Sequence, residues 1–209
     1  MSDESSPLTG TYRPQYHTST DLFRWHQYQG DHTNDCAAFC VAIVGNAVLN
    51  RMLFDGYTVA RDMENPVFVS GPVPHITISK LPNWATLPWG ISGYLKRKGV
   101  PSKLRWFGDI GKLLRNIQKN RFTIVILGDP FRHEGLSFNG WGHAKVVYGF
   151  EPTGPRPEKG FYFVDPGYPK DWSAPRHPEG VFWQDEAEFR QQWGNMLRLY
   201  VEVGTSASA

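Results

Sequence analysis

Asn34-Asp35-Cys36-Ala37-Ala38-Phe39-Cys40-Val41-Ala42-Ile43-Val44 is the stretch whose reading decides the fold. A polar turn, residues 30–35, runs straight into Cys36, and the segment after it is apolar on every side until Gly45-Asn46. A helix that is apolar all round belongs in a core. Thr33, Asn34 and Asp35 are residue types that cap helix N-termini. The pattern therefore predicts a buried central helix from Cys36 to about Leu53, with Cys36 in its first turn. Unpaired N–H groups and the positive end of the helix dipole favour a thiolate there. A buried cysteine is otherwise a small hydrophobe, so the rest of the chain must decide which Cys36 is.

With 209 residues the chain is long enough for one domain with a substantial core. Its formal net charge of +2 gives no push toward nucleic acid or an anionic membrane. The two cysteines, Cys36 and Cys40, fall one helical turn apart with nearly parallel Cβ vectors, which is poor disulfide geometry. That suits a reducing compartment. Residues 1–10 lack the basic-then-apolar order of a signal peptide, and no apolar run reaches membrane-span length. The expectation is a soluble cytoplasmic protein, with its oligomeric state left open.

Along the chain, residues 1–18 read as disordered or loosely docked, 19–203 as a single domain and 204–209 as a flexible small-residue tail. Residues 54–90 are irregular, broken by Asn65-Pro66 and Gly71-Pro72-Val73-Pro74, with a short helix over 57–63. So long an irregular segment reads as a functional loop walling a cleft beside Cys36, through Val67, Phe68, Val69, Trp84 and Trp89. Helices are expected over 88–98, 110–119 (capped by Asp109) and 185–193. Strands are expected over 104–107, 122–127, 143–150, 161–164 and 196–203, with 122–127 buried on both faces. Residues 129–142 read as a Gly-rich loop. The strands 143–150 and 161–164 should pair antiparallel. Helices first and an antiparallel sheet after them make an α+β class, a central buried helix packed on a sheet.

Three polar residues stand where apolar structure starts or stops. Cys36 opens the core helix, His143 opens a strand after Trp141-Gly142, and Asp165 closes the next strand before Pro166-Gly167. Antiparallel pairing sets the start of one strand beside the end of the next, so His143 and Asp165 should meet at one edge. A nucleophile, a base and an orienting carboxylate in that relation can attack a carbonyl. Oxyanion stabilisation would come from the Cys36 backbone N–H and a side-chain amide, Gln29 first, with Gln27 and Asn34 as weaker options. Taken singly, His143 reads as a strand-end histidine, Asp165 as a turn former and Cys40 as core packing. Their joint order carries the catalytic reading. No histidine pair has metal spacing and Cys36-x-x-x-Cys40 has no second ligand pair, so no metal or cofactor is expected.

Gln29, the Asn34-Asp35-Cys36 turn, Gly142-His143 leading a strand and Val164-Asp165-Pro166 closing the next resemble papain-like cysteine peptidases. The pattern is most similar to the bacteriocin leader-peptide (double-glycine) peptidases and their stand-alone relatives. Trp183, Glu188-Phe189 and Trp193, before the last strand, extend the resemblance over residues 22–203. It implies a papain-like fold and a thiol-dependent hydrolase of peptide or amide bonds using Cys36, His143, Asp165 and Gln29, by way of a thioester. Two departures stand out. Ala37 occupies the place of the family's usual glycine, and no transporter segment accompanies the domain. An acyl or peptidyl transferase with the same triad, and a degenerate peptide-binding module, are the competing functions.

Overall fold

The computed structural model describes residues 14–204 except 32, 71, 83–84, 131–132, 135–136, 139, 154–159 and 170–180. The expectations for the first 13 residues, for 205–209 and for Trp84 lie outside the described residues.

In chain order, β1 (Tyr16–His17) and a 3-10 turn (Phe23–Trp25) lead to α1 (Cys36–Leu49). Then come α2 (Gly56–Glu64), β2 (Val67–Val69), β3 (His75–Thr77), β4 (Lys80–Leu81), β5 (Ala85–Thr86) and α3 (Pro88–Arg97). They are followed by β6 (Ser102–Arg105), α4 (Ile110–Gln118), β7 (Phe122–Asp129), β8 (His133–Glu134), β9 (Ser137–Phe138) and β10 (Trp141–Glu151). The chain closes with β11 (Gly160–Val164), β12 (Val181–Gln184), α5 (Glu186–Asn195) and β13 (Tyr200–Val203). The main sheet runs β12-β11-β10-β7-β13-β6, with β1 also paired to β10, and each of these pairings is antiparallel. The architecture is α+β.

Alternation along the strands divides the core in two. Ile124 and Ile126 of β7 and Ala144 and Val146 of β10 face α1, in one cluster with Tyr162 and Val164 of β11. Val125 and Leu127, one step out of phase, join Val147, Phe161 and Phe163 under Leu113 and Ile117 of α4 and Phe189 and Trp193 of α5. This is why β7 is a continuous apolar run: helices cover both of its faces. Helix α1 is buried from Ala37 to Ala47 because α2 and α3 pack against it as well.

Helix α1 stops at Leu49, four residues short of the sequence expectation. Asn50 takes the left-handed conformation (φ 49°) and ends it. The Asn46 amide then folds the chain back. Its oxygen accepts from Leu53 N (2.7 Å) and Phe54 N (2.8 Å), and its nitrogen donates to Phe54 O (2.8 Å). Helix α2 follows, capped by Asp55 accepting from Thr58 N, and buries Val59, Ala60 and Met63. Residues 54–90 are thus a helix and two small hairpins, β2–β3 and β4–β5, rather than an irregular loop. The last strand begins at Tyr200, not at 196, because Leu197 and Arg198 adopt positive φ (54° and 51°). Their carbonyls accept from Phe107 and Gly108 N–H, and Phe107, itself at φ 53°, ends β6 early. The expected Gly-rich loop 129–142 contains the β8–β9 hairpin and the first two residues of β10.

Candidate active site

The site forms where the N-terminus of α1 meets the start of β10. Two consecutive turns of α1 dock on a single residue of that strand. The Ala144 N–H donates to Cys36 Sγ (3.4 Å), and the Cys40 thiol donates to the Ala144 carbonyl (3.3 Å). Both cysteines are free thiols; Cys36 is partly exposed and Cys40 buried. Burial pushes the Cys40 thiol well above its ordinary pKa, so it behaves as a core residue.

His143 lies two residues into β10, and Asp165 one residue past the end of β11. Because Val146 pairs with Val164, their side chains converge at one edge. His143 Nε2 is 2.7 Å from Asp165 Oδ1, and Cys36 acts on the same ring, favouring its charged form. With Nε2 on the carboxylate, Nδ1 is the nitrogen left for the sulfur. Cys36, His143 and Asp165 are therefore brought together at one place, the first beside Ala144 and the other two in a direct hydrogen bond.

Asp165 is 1% exposed and its surroundings fix it firmly. Oδ1 also accepts from Gly167 N–H (2.8 Å), and the Asp165 carbonyl accepts from His26 Nε2 (3.0 Å). The turn-former role and the partnership with His143 thus fall on one oxygen. A Cβ at Gly167 would stand 3.1 Å from that oxygen and 3.2 Å from His143 Cε1, so a side chain there would press on both partners.

Burial opposes charge on His143, but hydrogen bonds to Asp165 and Cys36 more than offset it and raise the ring's pKa to about 9. Burial likewise opposes charge on Asp165, yet His143, Lys145 and the Gly167 N–H hold its carboxyl below the ordinary value. The raised His143 value stabilises the fold fully below the unfolded value, and that contribution fades as pH rises through about 9. The shift corresponds to about 3 kcal/mol. Denaturant unfolding at about pH 6 and about pH 9.5 should show that loss in the wild type and little of it in Asp165→Asn. Equal slopes in the two proteins would contradict the coupling.

Gln29 is 9% exposed and belongs to the loop that ends at Cys36. Its N–H donates to the carbonyl of Pro166, next to Asp165 (2.9 Å). One N–H of its side-chain amide is spent on Thr33 O (3.2 Å), which leaves the second as a donor. Gln27 is committed elsewhere: its amide donates to Phe54 O and accepts from Gly56 N–H, both at 2.8 Å.

Asp35 occupies the N-cap position but makes no side-chain capping bond, contrary to the sequence expectation. A stronger partner takes its carboxylate. Lys80 Nζ, 4% exposed as a residue, stands 2.7 Å from Asp35 Oδ1 and 2.6 Å from Glu64 Oε1. The first N–H groups of α1 consequently have no carboxylate of Asp35 over them. Lys80→Met would leave two carboxylates without their shared cation and should cost about 3 kcal/mol. A denaturation midpoint shift worth less than about 1 kcal/mol would show the pair to be dispensable.

Lys80 and Tyr57 bring the 54–90 segment to the rim of the site, the latter through Tyr57 OH to Gln29 O (3.2 Å) and an edge contact on Phe39. Of the residues expected to form the wall, Phe68 and Val69 are exposed on the β2–β3 hairpin and Trp89 is half exposed. On the other side of His143 opens a cavity of about 560 Å³, lined by Trp141, Lys145, Asp165, Tyr168, Trp183 and Glu188 among others. Ala37 lies in the buried cluster, so its methyl is accommodated by packing. Sequence reasoning missed Lys80, His26 and Lys145. For Lys145 a signal existed: a lysine two residues after His143 on one strand shares its face.

Among the described residues, no group of three or more His, Cys, Asp or Glu side chains could hold a metal ion, and no helix is long and apolar enough to cross a membrane. No family model matches the sequence, and no curated protein does. Among solved structures, one from Bacillus anthracis described as a candidate C39-like peptidase matches with a TM-score of 0.61 at 12% identity. The match covers 91% of this chain and 98% of that one. A likeness at that identity speaks to the fold alone.

Proposed function

We propose that this chain is a thiol-dependent hydrolase that cleaves peptide or amide bonds through Cys36, His143 and Asp165. The observation that carries the proposal is the line from Cys36 through His143 to the buried carboxylate of Asp165, at the N-terminus of a core helix. The Cys36 sulfur attacks the carbonyl carbon as a thiolate, and the developing oxyanion is held by the Cys36 N–H and the free amide N–H of Gln29. The His143 imidazolium gives its proton to the leaving nitrogen, the C–N bond breaks and a thioester on Cys36 remains. Water, deprotonated by the now neutral His143, attacks the thioester. The acid departs, the sulfur leaves as thiolate, and His143 is again the imidazolium. Asp165 holds the ring's tautomer and balances its charge throughout.

The catalytic unit in this proposal is a single papain-like domain over 19–203, working in a reducing cytoplasmic setting to which two free cysteines are suited. Double-glycine leader peptides are the first substrates to try, on the resemblance of the Asn34-Asp35-Cys36 turn and the His143 and Asp165 strand ends. The test compares hydrolysis of a peptide panel by the wild type and Cys36→Ala, with mass spectrometry for an acyl adduct on Cys36. Hydrolysis that survives in Cys36→Ala would sink the proposal. An adduct that forms and partitions to added amines rather than to water would make the enzyme a transferase.

A further inference from the structure

Asp165 presents two oxygens, and the triad uses one of them. Oδ1 accepts from His143 and Gly167. Oδ2 is buried without a hydrogen bond, and Lys145 Nζ stands 3.3 Å from it, at ion-pair distance but off the hydrogen-bond direction. Lys145 is 8% exposed. Its ammonium lies 4.1 Å from the ring centroid of Phe182 and 5.3 Å from that of Phe163. A solvated strand lysine would turn its head to water; this one is held against a carboxylate between aromatic faces. The register explains how it gets there. Lys145 is two residues from His143 on β10, and stands one step beyond the Val146–Val164 pair, opposite Asp165.

We infer that Lys145 is a fourth member of the constellation, a positioning residue that keeps Asp165 ionised and aimed at His143 while drawing on the same negative charge. This rests on the Cys36–His143–Asp165 reading and adds a control to it. In the working ion pair, thiolate, imidazolium, carboxylate and ammonium alternate in sign and sum to zero. Without Lys145 the carboxylate would act on His143 uncompensated, and the ring would hold its proton more tightly. The other titratable groups near this centre are Glu188 of α5 and Tyr168, which line the same cavity with the neutral amides of Gln184 and Gln192, the His26 ring at the Asp165 carbonyl, and the buried Cys40 thiol.

The test needs no substrate. Alkylation of Cys36 by iodoacetate, followed by mass spectrometry across pH, reports through its alkaline limb where His143 loses its proton. In Lys145→Gln, which keeps a polar reach without the charge, the limb should move up by about one pH unit, a tenfold change in proton affinity. In Lys145→Arg it should stay within a few tenths of a unit of the wild type. An unmoved limb in a folded Lys145→Gln protein overturns the inference. In the wild-type chain, the Lys145 Cε resonance should shift as His143 titrates, whatever the variants do. A resonance flat through that step overturns the inference too. Absence of any pH-dependent Cys36 alkylation in the wild type would instead bring down the triad reading beneath it.

Discussion

Asp165→Asn is expected to leave a folded chain whose turnover is lower by about four orders of magnitude, the scale seen when a triad's orienting carboxylate becomes an amide. The substitution is nearly isosteric. Asn keeps an oxygen for the Gly167 N–H, so the turn after β11 can persist. What it loses is charge and hydrogen-bond polarity. His143 Nε2–H now donates to a full carboxylate at 2.7 Å. The amide oxygen that stays for Gly167 also faces Nε2–H, but as a neutral acceptor it cannot balance the imidazolium, and the amide nitrogen is left against Lys145. Lys145 also loses its counter-charge, so some stability should go as well, about 2 kcal/mol on the scale of a broken buried pair. Circular dichroism and turnover on the same preparation check both statements. Activity within about tenfold of wild type in a folded Asp165→Asn protein would remove Asp165 from the site.

The parts of the fold that were legible in the sequence are those where a single local pattern decides. The all-apolar run after Cys36 could only be a core helix, and 122–127 could only be a strand covered on both sides. Asp109 stood where a cap belongs and accepts from Lys112 N; Asp185, read as the first residue of the last helix, is its cap and accepts from Ala187 N. The meeting of His143 and Asp165 followed from two strand ends and one antiparallel pairing. What was illegible depended on long-range partners. Nothing near Asp35 announces that Lys80, 45 residues on, will take its carboxylate and leave the helix uncapped by it. The end of α1 at Leu49 is set by the Asn46 amide catching Leu53 and Phe54, a clamp invisible in a hydrophobicity pattern. The 54–90 segment misled because its prolines mark the corners of short hairpins and not the absence of structure. Lys145 was hidden by the habit of assigning a strand lysine to solvent. Its phase with His143 pointed inward.

The contrast between the two cysteines gives the second large difference in rate. They sit one turn apart on α1 and touch the same residue, Ala144, yet from opposite chemical sides. Cys36 accepts a backbone N–H at its sulfur and has His143 beside it, the place where the proposed mechanism needs a thiolate. Cys40 is buried, donates its proton to a carbonyl, and is held well above its ordinary pKa by that burial. Only the thiolate reacts with alkylating agents. The direct measurement is iodoacetamide labelling of the native chain at about pH 6, with each cysteine followed by mass spectrometry. Cys36 should be modified at least about a hundredfold faster than Cys40, and His143→Ala should remove most of that advantage. Equal rates, labelling of Cys40 first, or a Cys36 rate indifferent to His143→Ala would contradict the thiolate–imidazolium site.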